Sequence, residues 1–353
     1  MRSGCGVGAD WVRSGSVTCR RETWGSTFFK FNVMTEPATN TIPNYRVILA
    51  IVLPCFLGWV MSYLSTNVFR DYALGLFIWL PVVMGAISTI LVGYKTTASR
   101  KLMRNISFIN LAIFCLGLLC FAWEGVICLI MAAPLGLLFS YIGHGIGYLL
   151  IKGKMKDNTI TAAVLLIVSV PSLMAFEHIG GAAPDLRSVT TSIEINASPE
   201  TVWKNVIAFP PLESPTEFIF RTGIAYPINA EISGQGVGAV RHCNFSTGSF
   251  VEPISVWETA KLLKFDVDSQ PEPMKELSFY SHVHPNHLHG YWVSKGGQFK
   301  LTALPNGHTL LEGTTWYVNK IEPGVYWTLW SDYIVHKIHE RVLGQIKVHA
   351  ERG

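Results

Sequence analysis

Hydrophobic positions in this chain follow two regimes. Between residues 46 and 177 they form long, nearly unbroken blocks; from residue 188 onward they alternate or recur at helical spacing. The blocks lie at about 47–64, 72–93, 106–123, 125–151 and 159–176. Each is long enough, at helical rise, to cross a hydrocarbon core about 30 Å thick. The pattern predicts an α-helical transmembrane domain of about five spans over residues 46–177, a linker at 178–187 containing GGAAPDL, and a further domain at 188–353. Residues 1–45 are polar and aperiodic and are expected to be a disordered tail, with Met34 as the expected true start.

The second regime opens on SVTTSIEIN, which alternates as a strand does. Ser198 then suits an N-cap and Pro199 the first helical position, with Val202, Trp203, Val206 and Ile207 as the apolar face. Strands are expected at about 228–233, 237–246, 249–256, 262–268, 276–284, 288–294, 297–304 and 309–318, with turns at SGQG, STGS, SKGG and LPNGH. The chain closes on a predicted helix over 323–351, with Tyr326, Trp330, Ile334, Ile338, Val342 and Ile346 along one face. At 1.5 Å per residue it would be roughly 40 Å long and needs a large apolar partner. The meander of strands before it supplies one.

Charge adds an orientation. Arg2, Arg13, Arg20, Arg21, Lys30 and Arg46 precede the first block. Lys95, Arg100, Lys101 and Arg104 mark the second loop, and Lys152, Lys154 and Lys156 the fourth. The first loop has Arg70 alone and the third has no basic residue. Basic loops face the cytoplasm. The N-terminus is therefore expected inside the cytoplasmic membrane and the C-terminal domain outside it. Hydrophobic residues make up 49% of the chain and charged ones 15%, a membrane composition. Residues 188–353 hold 13 Lys and Arg against 16 Asp and Glu, so the net +4 lies in the membrane half and argues no nucleic-acid partner. Of the seven cysteines, Cys55, Cys115, Cys120 and Cys128 fall in or beside apolar runs and read as small hydrophobes. Glu124, at the turn between the third and fourth blocks, is expected to stay wet.

SIEINASPETVWKNVIAF resembles the opening of the START-like superfamily, also called SRPBCC or polyketide cyclase/dehydrase and lipid-transport proteins. GQFKLTALPNGHTLLEGTTWY followed by a long helix is similar to its close. The resemblance covers about residues 188–352. It implies an α+β helix-grip domain, a curved antiparallel sheet around the C-terminal helix. It further implies an apolar cavity between sheet and helix that takes a lipid or other hydrophobic small molecule.

Within that frame, Arg241, Glu252, Trp316, Tyr326, Trp330 and Tyr333 are candidate ligand-binding residues. Asp332 and His336, four apart on the helix, have the spacing of a general base and its orienting partner. His282, His284, His287 and His289 would offer imidazoles in pairs on strands, the donor set of a zinc or copper site, against the alternative of a polar hairpin. No nucleophile elbow is visible, so a binding module leads. A cyclase, dehydratase or hydrolase using the same cavity is the alternative, and a membrane sensor of ligand occupancy the third reading.

Overall fold

The computed structural model describes residues 42–153, 158–180, 184–280 and 285–352. Residues 1–41 of the expected tail, with Met34, and Lys154, Lys156, His282 and His284 lie outside these residues; its last two, Asn44 and Tyr45, open the first helix.

Among the described residues, five helices are long and apolar enough to cross a membrane. α1 (Asn44–Tyr63) runs on through a π-helical turn at Leu64–Phe69, and a second π-helical turn at Gly75–Trp79 leads into α2 (Leu80–Gly93). α3 (Arg100–Cys120), α4 (Val126–Lys152) and α5 (Thr159–Gly180) complete the bundle. α2 is its centre: nearly all its residues are buried, whereas α1, α4 and α5 turn Phe56, Leu149 and Leu165 outward. The close approach of α2 and α4 depends on small residues. A Cβ at Gly143 would overlap the Val82 carbonyl, and one at Gly147 would lie 2.6 Å from the Ala86 oxygen. His144, between them, is buried and bonds Thr89 Oγ1 through Nδ1 at 2.9 Å, a structural role.

The C-terminal half carries seven strands: β1 (Leu186–Ile195), β2 (Pro227–Ser233), β3 (Val240–Phe245), β4 (Gly248–Glu258), β5 (Leu262–Asp266), β6 (Trp292–Ala303) and β7 (Thr309–Asn319). They form one antiparallel sheet in the order β1-β7-β6-β5-β4-β3-β2. Register shifts at Pro227/Asn229, Ile254/Val256 and Ser294/Gly296 bend it. α6 (Pro199–Ile207), capped by Ser198, and the short α7 (Phe218–Arg221) lie between β1 and β2, and α8 (Gly324–Arg352) closes the chain. A curved antiparallel sheet with a long C-terminal helix against it is the helix-grip architecture.

The strand expected at 276–284 is absent over its described residues, and the one expected at 288–294 begins only at Trp292, as the start of β6. Residues 276–280 and 285–291 hold no strand; Asn286–Leu288 is a 3-10 turn. The glycines of SKGG do not make a turn but sit inside β6. There a Cβ at Gly296 would come 2.7 Å from the Phe265 oxygen, and one at Gly297 2.6 Å from the Phe265 ring. Glycine is needed for close approach at a bulge, not for chain reversal.

α8 serves two partners. Val342, Leu343, Ile346 and Ala350 join the sheet core with Ile195, Trp203 and Leu263. The first half packs on the bundle instead: Trp327 and Trp330 cluster with Ile127, Met131 and Phe77, and the Tyr326 hydroxyl donates to the Met131 carbonyl.

Candidate functional site

Between the sheet, α8 and the bundle lies a cavity of about 470 Å³. Phe265, Trp292 and Thr315 line it from the sheet, and Trp330, Ile334 and Val342 from α8. It continues into the bundle, where Phe108, Leu111, Ala112, Ala133, Gly136 and Leu137 form its walls on α3 and α4. Ala112, Ala133 and Leu137 of this lining are exposed, so the cavity is open along α3 and α4.

The polar end of this space is built where four stretches of chain meet. α4 begins at Gly125, whose extended backbone ends the α3–α4 turn. Its first N–H groups are taken by the connection between β5 and β6: Val126 N–H donates to the Leu277 carbonyl at 2.9 Å and Ile127 N–H to Glu276 Oε2 at 3.2 Å. A carboxylate suits this end of a helix, where unpaired N–H groups and the dipole both favour negative charge. Cys128 follows on the first turn. Its Sγ lies 2.7 Å from Nε2 of His287, and Nδ1 of the same ring lies 3.2 Å from Glu124 Oε2. Tyr72 donates to Glu124 Oε1 at 2.9 Å and meets the His287 ring edge-on at 5.5 Å. The 3-10 turn carrying His287 is fastened to the membrane side by Asn286 Nδ2, which donates to the Thr66 carbonyl at 2.8 Å.

His287 is buried, and Glu276 Oε1 stands 3.7 Å from its Nε2. Burial opposes the charged ring, but Cys128 and Glu124 against its two nitrogens outweigh burial and raise its pKa well above the ordinary value. Burial and then Glu124 push the Tyr72 phenol up, which keeps it a donor. Glu276 Oε1 and His287 Nδ1 have no hydrogen-bond partner among the described residues.

Donor atoms of Glu124, Cys128 and His287 lie within 4.8 Å of one another, a set that suits zinc in kind. The ring turns one nitrogen to Cys128 and the other to Glu124, however. A single ion takes one imidazole nitrogen, so all three would bind it only after Glu124 left Nδ1. The predicted histidine pairs do not form here. His287 is buried in the cluster, whereas the His289 side chain is 62% exposed and faces Glu272 at 3.4 Å. Strand parity fails because residues 286–288 coil into a 3-10 turn.

The other candidates divide. Arg241 and Glu252 are register partners on β3 and β4, both buried, and their side chains form an ion pair. Phe209, Phe265 and Phe299 rings surround the guanidinium at 5.5–5.7 Å. Burial pushes the Glu252 carboxyl up against the pull of Arg241. Glu252 and Trp330 line the cavity; Arg241, Trp316, Tyr326 and Tyr333 do not. Trp316 alternates with the buried Tyr317 and takes Lys264 over its ring instead. Tyr326 is turned to Met131, and Tyr333 is 46% exposed beside Lys337. Asp332 and His336 also miss the cavity. Asp332 accepts from Tyr317 at 2.5 Å and Arg187 at 3.2 Å, and His336 Nδ1 contacts Thr191 Oγ1 at 2.7 Å, so each is satisfied by the sheet. Sequence reasoning missed Cys128, Glu276 and Tyr72 as site residues, and it placed Glu124 in water.

No protein-family model matches the sequence, and no curated protein matches it. Solved structures that match include the Zhui aromatase/cyclase from Streptomyces sp. R1128, at 13% identity, covering 48% of this chain and 95% of that one with a TM-score of 0.32. Norcoclaurine synthase from Thalictrum flavum matches at 12% identity, over 48% and 95% of the two chains, with a TM-score of 0.31. XoxI from Bacillus cereus matches at 16%, over 45% and 92%, with a TM-score of 0.29. These likenesses say nothing of ligand or reaction. The helix-grip assignment rests on the strand order and the placement of α8.

Proposed function

We propose that this protein binds a hydrophobic or amphipathic small molecule drawn from the bilayer, in a cavity shared by its membrane bundle and its helix-grip domain. The observation that carries this reading is the continuity of the lining from Trp330 and Phe265 to the exposed Ala133 and Leu137 on a helix long and apolar enough to cross a membrane. The volume falls in the range of small-molecule pockets, about 300–1,000 Å³. Each methylene transferred from water to such a space gains about 0.8 kcal/mol, but a molecule arriving from lipid gains little from that transfer. Selectivity then falls to the few polar groups at the inner end, Glu124 and His287 among them. The domain would sit on the outer face of the membrane, because the bundle ends nearest to it, around Arg70 and Glu124, carry few basic residues.

Native mass spectrometry of the full chain, released from nanodiscs, tests the reading. A lipid-like mass should accompany the protein and disappear when Gly136→Trp fills the passage between α3 and α4. A chain that is empty in every preparation would sink the proposal. A reaction on the bound molecule is the second reading, and the cluster at Cys128 favours it.

A further inference from the structure

We propose that Cys128, His287 and Glu124 are a nucleophile, its base and the group that orients the base, serving transfer of a long acyl chain from an ester or thioester to water. The substrate class rests on the binding reading above; the three residues rest on their own geometry.

A thiol is made a nucleophile by a base within hydrogen-bond reach that is itself held by a third group. Those relations are present in sequence. Sγ of Cys128 contacts Nε2 at 2.7 Å, and Nδ1 faces Glu124 Oε2 at 3.2 Å. Tyr72 holds the other oxygen of Glu124, which fixes the carboxylate's orientation. The three residues come from a helix start, an interhelix turn and a 3-10 turn, and all three line the cavity. His287 Nδ1 has no other polar contact competing for it: it makes no hydrogen bond among the described residues and only the carboxylate of Glu124 is paired with it. The ring is therefore faced on its Nδ1 side by the charge of Glu124.

A third requirement is a donor for the oxyanion that forms during acyl transfer. α4 supplies it. Val126 and Ile127 have given their N–H groups to Leu277 and Glu276, but the Cys128 N–H has no partner among the described residues. It lies at the positive end of a 27-residue helix. The nucleophile thus carries its own oxyanion donor.

The reaction then runs as two acyl transfers. With the shared proton held on Nε2, Sγ adds to the acyl carbonyl carbon as the thiolate, and the carbonyl oxygen becomes an oxyanion beside the Cys128 N–H. Collapse breaks the bond to the leaving oxygen or sulfur, which takes the proton from Nε2 and departs as alcohol or thiol. The acyl group remains as a thioester on Sγ. Water adds to that carbonyl with its proton going to Nε2; breakdown expels Sγ as the thiolate beside the protonated ring and frees the carboxylic acid. Glu124 and Glu276 stabilise the imidazolium that exists between the proton transfers. The apolar cavity leading away between α3 and α4 is where the acyl chain lies, which makes a long-chain acyl compound of the membrane the fitting substrate class.

The test uses the full chain in nanodiscs with p-nitrophenyl dodecanoate as the probe. A burst of nitrophenol and a dodecanoyl increment on the peptide holding Cys128, removable by hydroxylamine, are expected. Cys128→Ala should remove both, while Cys120→Ser, an exposed thiol outside the cavity, should change neither. Glu124→Gln preserves shape and should slow the burst by about 10³-fold to 10⁴-fold, the scale seen when an orienting carboxylate becomes an amide. Retention of the native cavity ligand shows that each variant is folded. Absence of any adduct on the wild-type Cys128, or unchanged turnover in Cys128→Ala, overturns the assignment. Stoichiometric zinc lost in Cys128→Ala also overturns it, since the thiol would then be a metal ligand. Acylation of Cys128 in a chain that carries no native ligand would remove the binding reading alone; a filled cavity around an inert thiol would remove the nucleophile alone.

Discussion

At the residue scale, the buried ion pair of Arg241 and Glu252 shows how a charge is kept inside an apolar domain. Each would be very costly alone, and they offset each other across neighbouring strands while three phenylalanine rings cover the guanidinium. Arg241→Met leaves Glu252 unpaired and should lower the stability of the domain by about 3–5 kcal/mol. Adding Glu252→Leu should restore most of that loss, because apolar pairs of similar size often replace a buried ion pair without cost. Thermal unfolding of both variants in detergent, followed by tryptophan fluorescence, checks the pair of outcomes. A single variant as stable as the double one would show that the pair contributes nothing. Both residues stand out in the sequence as charges in apolar strands. Cys128 does not, because a cysteine in an apolar run has the same appearance whether it fills space or faces a histidine 159 positions away.

At the element scale, the sequence made the spans, the capped α6 and the length of α8 legible, because each is a property of local periodicity. It misread the stretch between β5 and β6. That segment has strand-like composition, but Asp268 and Ser269 only touch β4, and Glu276 and Leu277 meet the start of α4, which no local pattern reveals. The junction depends on Gly125. A Cβ there would overlap the Glu276 carboxylate that accepts from Ile127 N–H. Gly125→Val should therefore lift the 273–277 segment from the bundle. Hydrogen exchange at Val126, Ile127 and Lys275 should rise together, while exchange in β7 stays unchanged. If Val126 and Ile127 remain protected, the close approach at Gly125 is not what holds the junction. SKGG teaches the same lesson inside the sheet, where glycines that look like a turn allow β6 to pass close to Phe265.

At the scale of the whole molecule, the sequence predicts two domains joined by a linker at 178–187, and the architecture is more integrated than that. The aromatic half of α8 packs on α4, the Glu322 N–H donates to the Tyr72 carbonyl, and Tyr280 donates to the Cys120 carbonyl at 2.6 Å. The ends of α1, α3 and α5 and the starts of α2 and α4 lie on the domain's side of the bundle, as an odd number of crossings requires. A reporter fused after residue 353 should be active outside the membrane and silent inside; the reverse pattern would overturn the proposed orientation.

The opening between α3 and α4 changes the meaning of concentration for this protein. A ligand entering there is sampled from two dimensions, so occupancy should follow its mole fraction in the leaflet and ignore the volume of buffer around the vesicle. Adding inert lipid at constant ligand should empty the cavity, while diluting the whole suspension should leave it filled. On the proposed binding reading the surrounding bilayer acts as the ligand pool, and membrane remodelling would be a direct means of controlling occupancy.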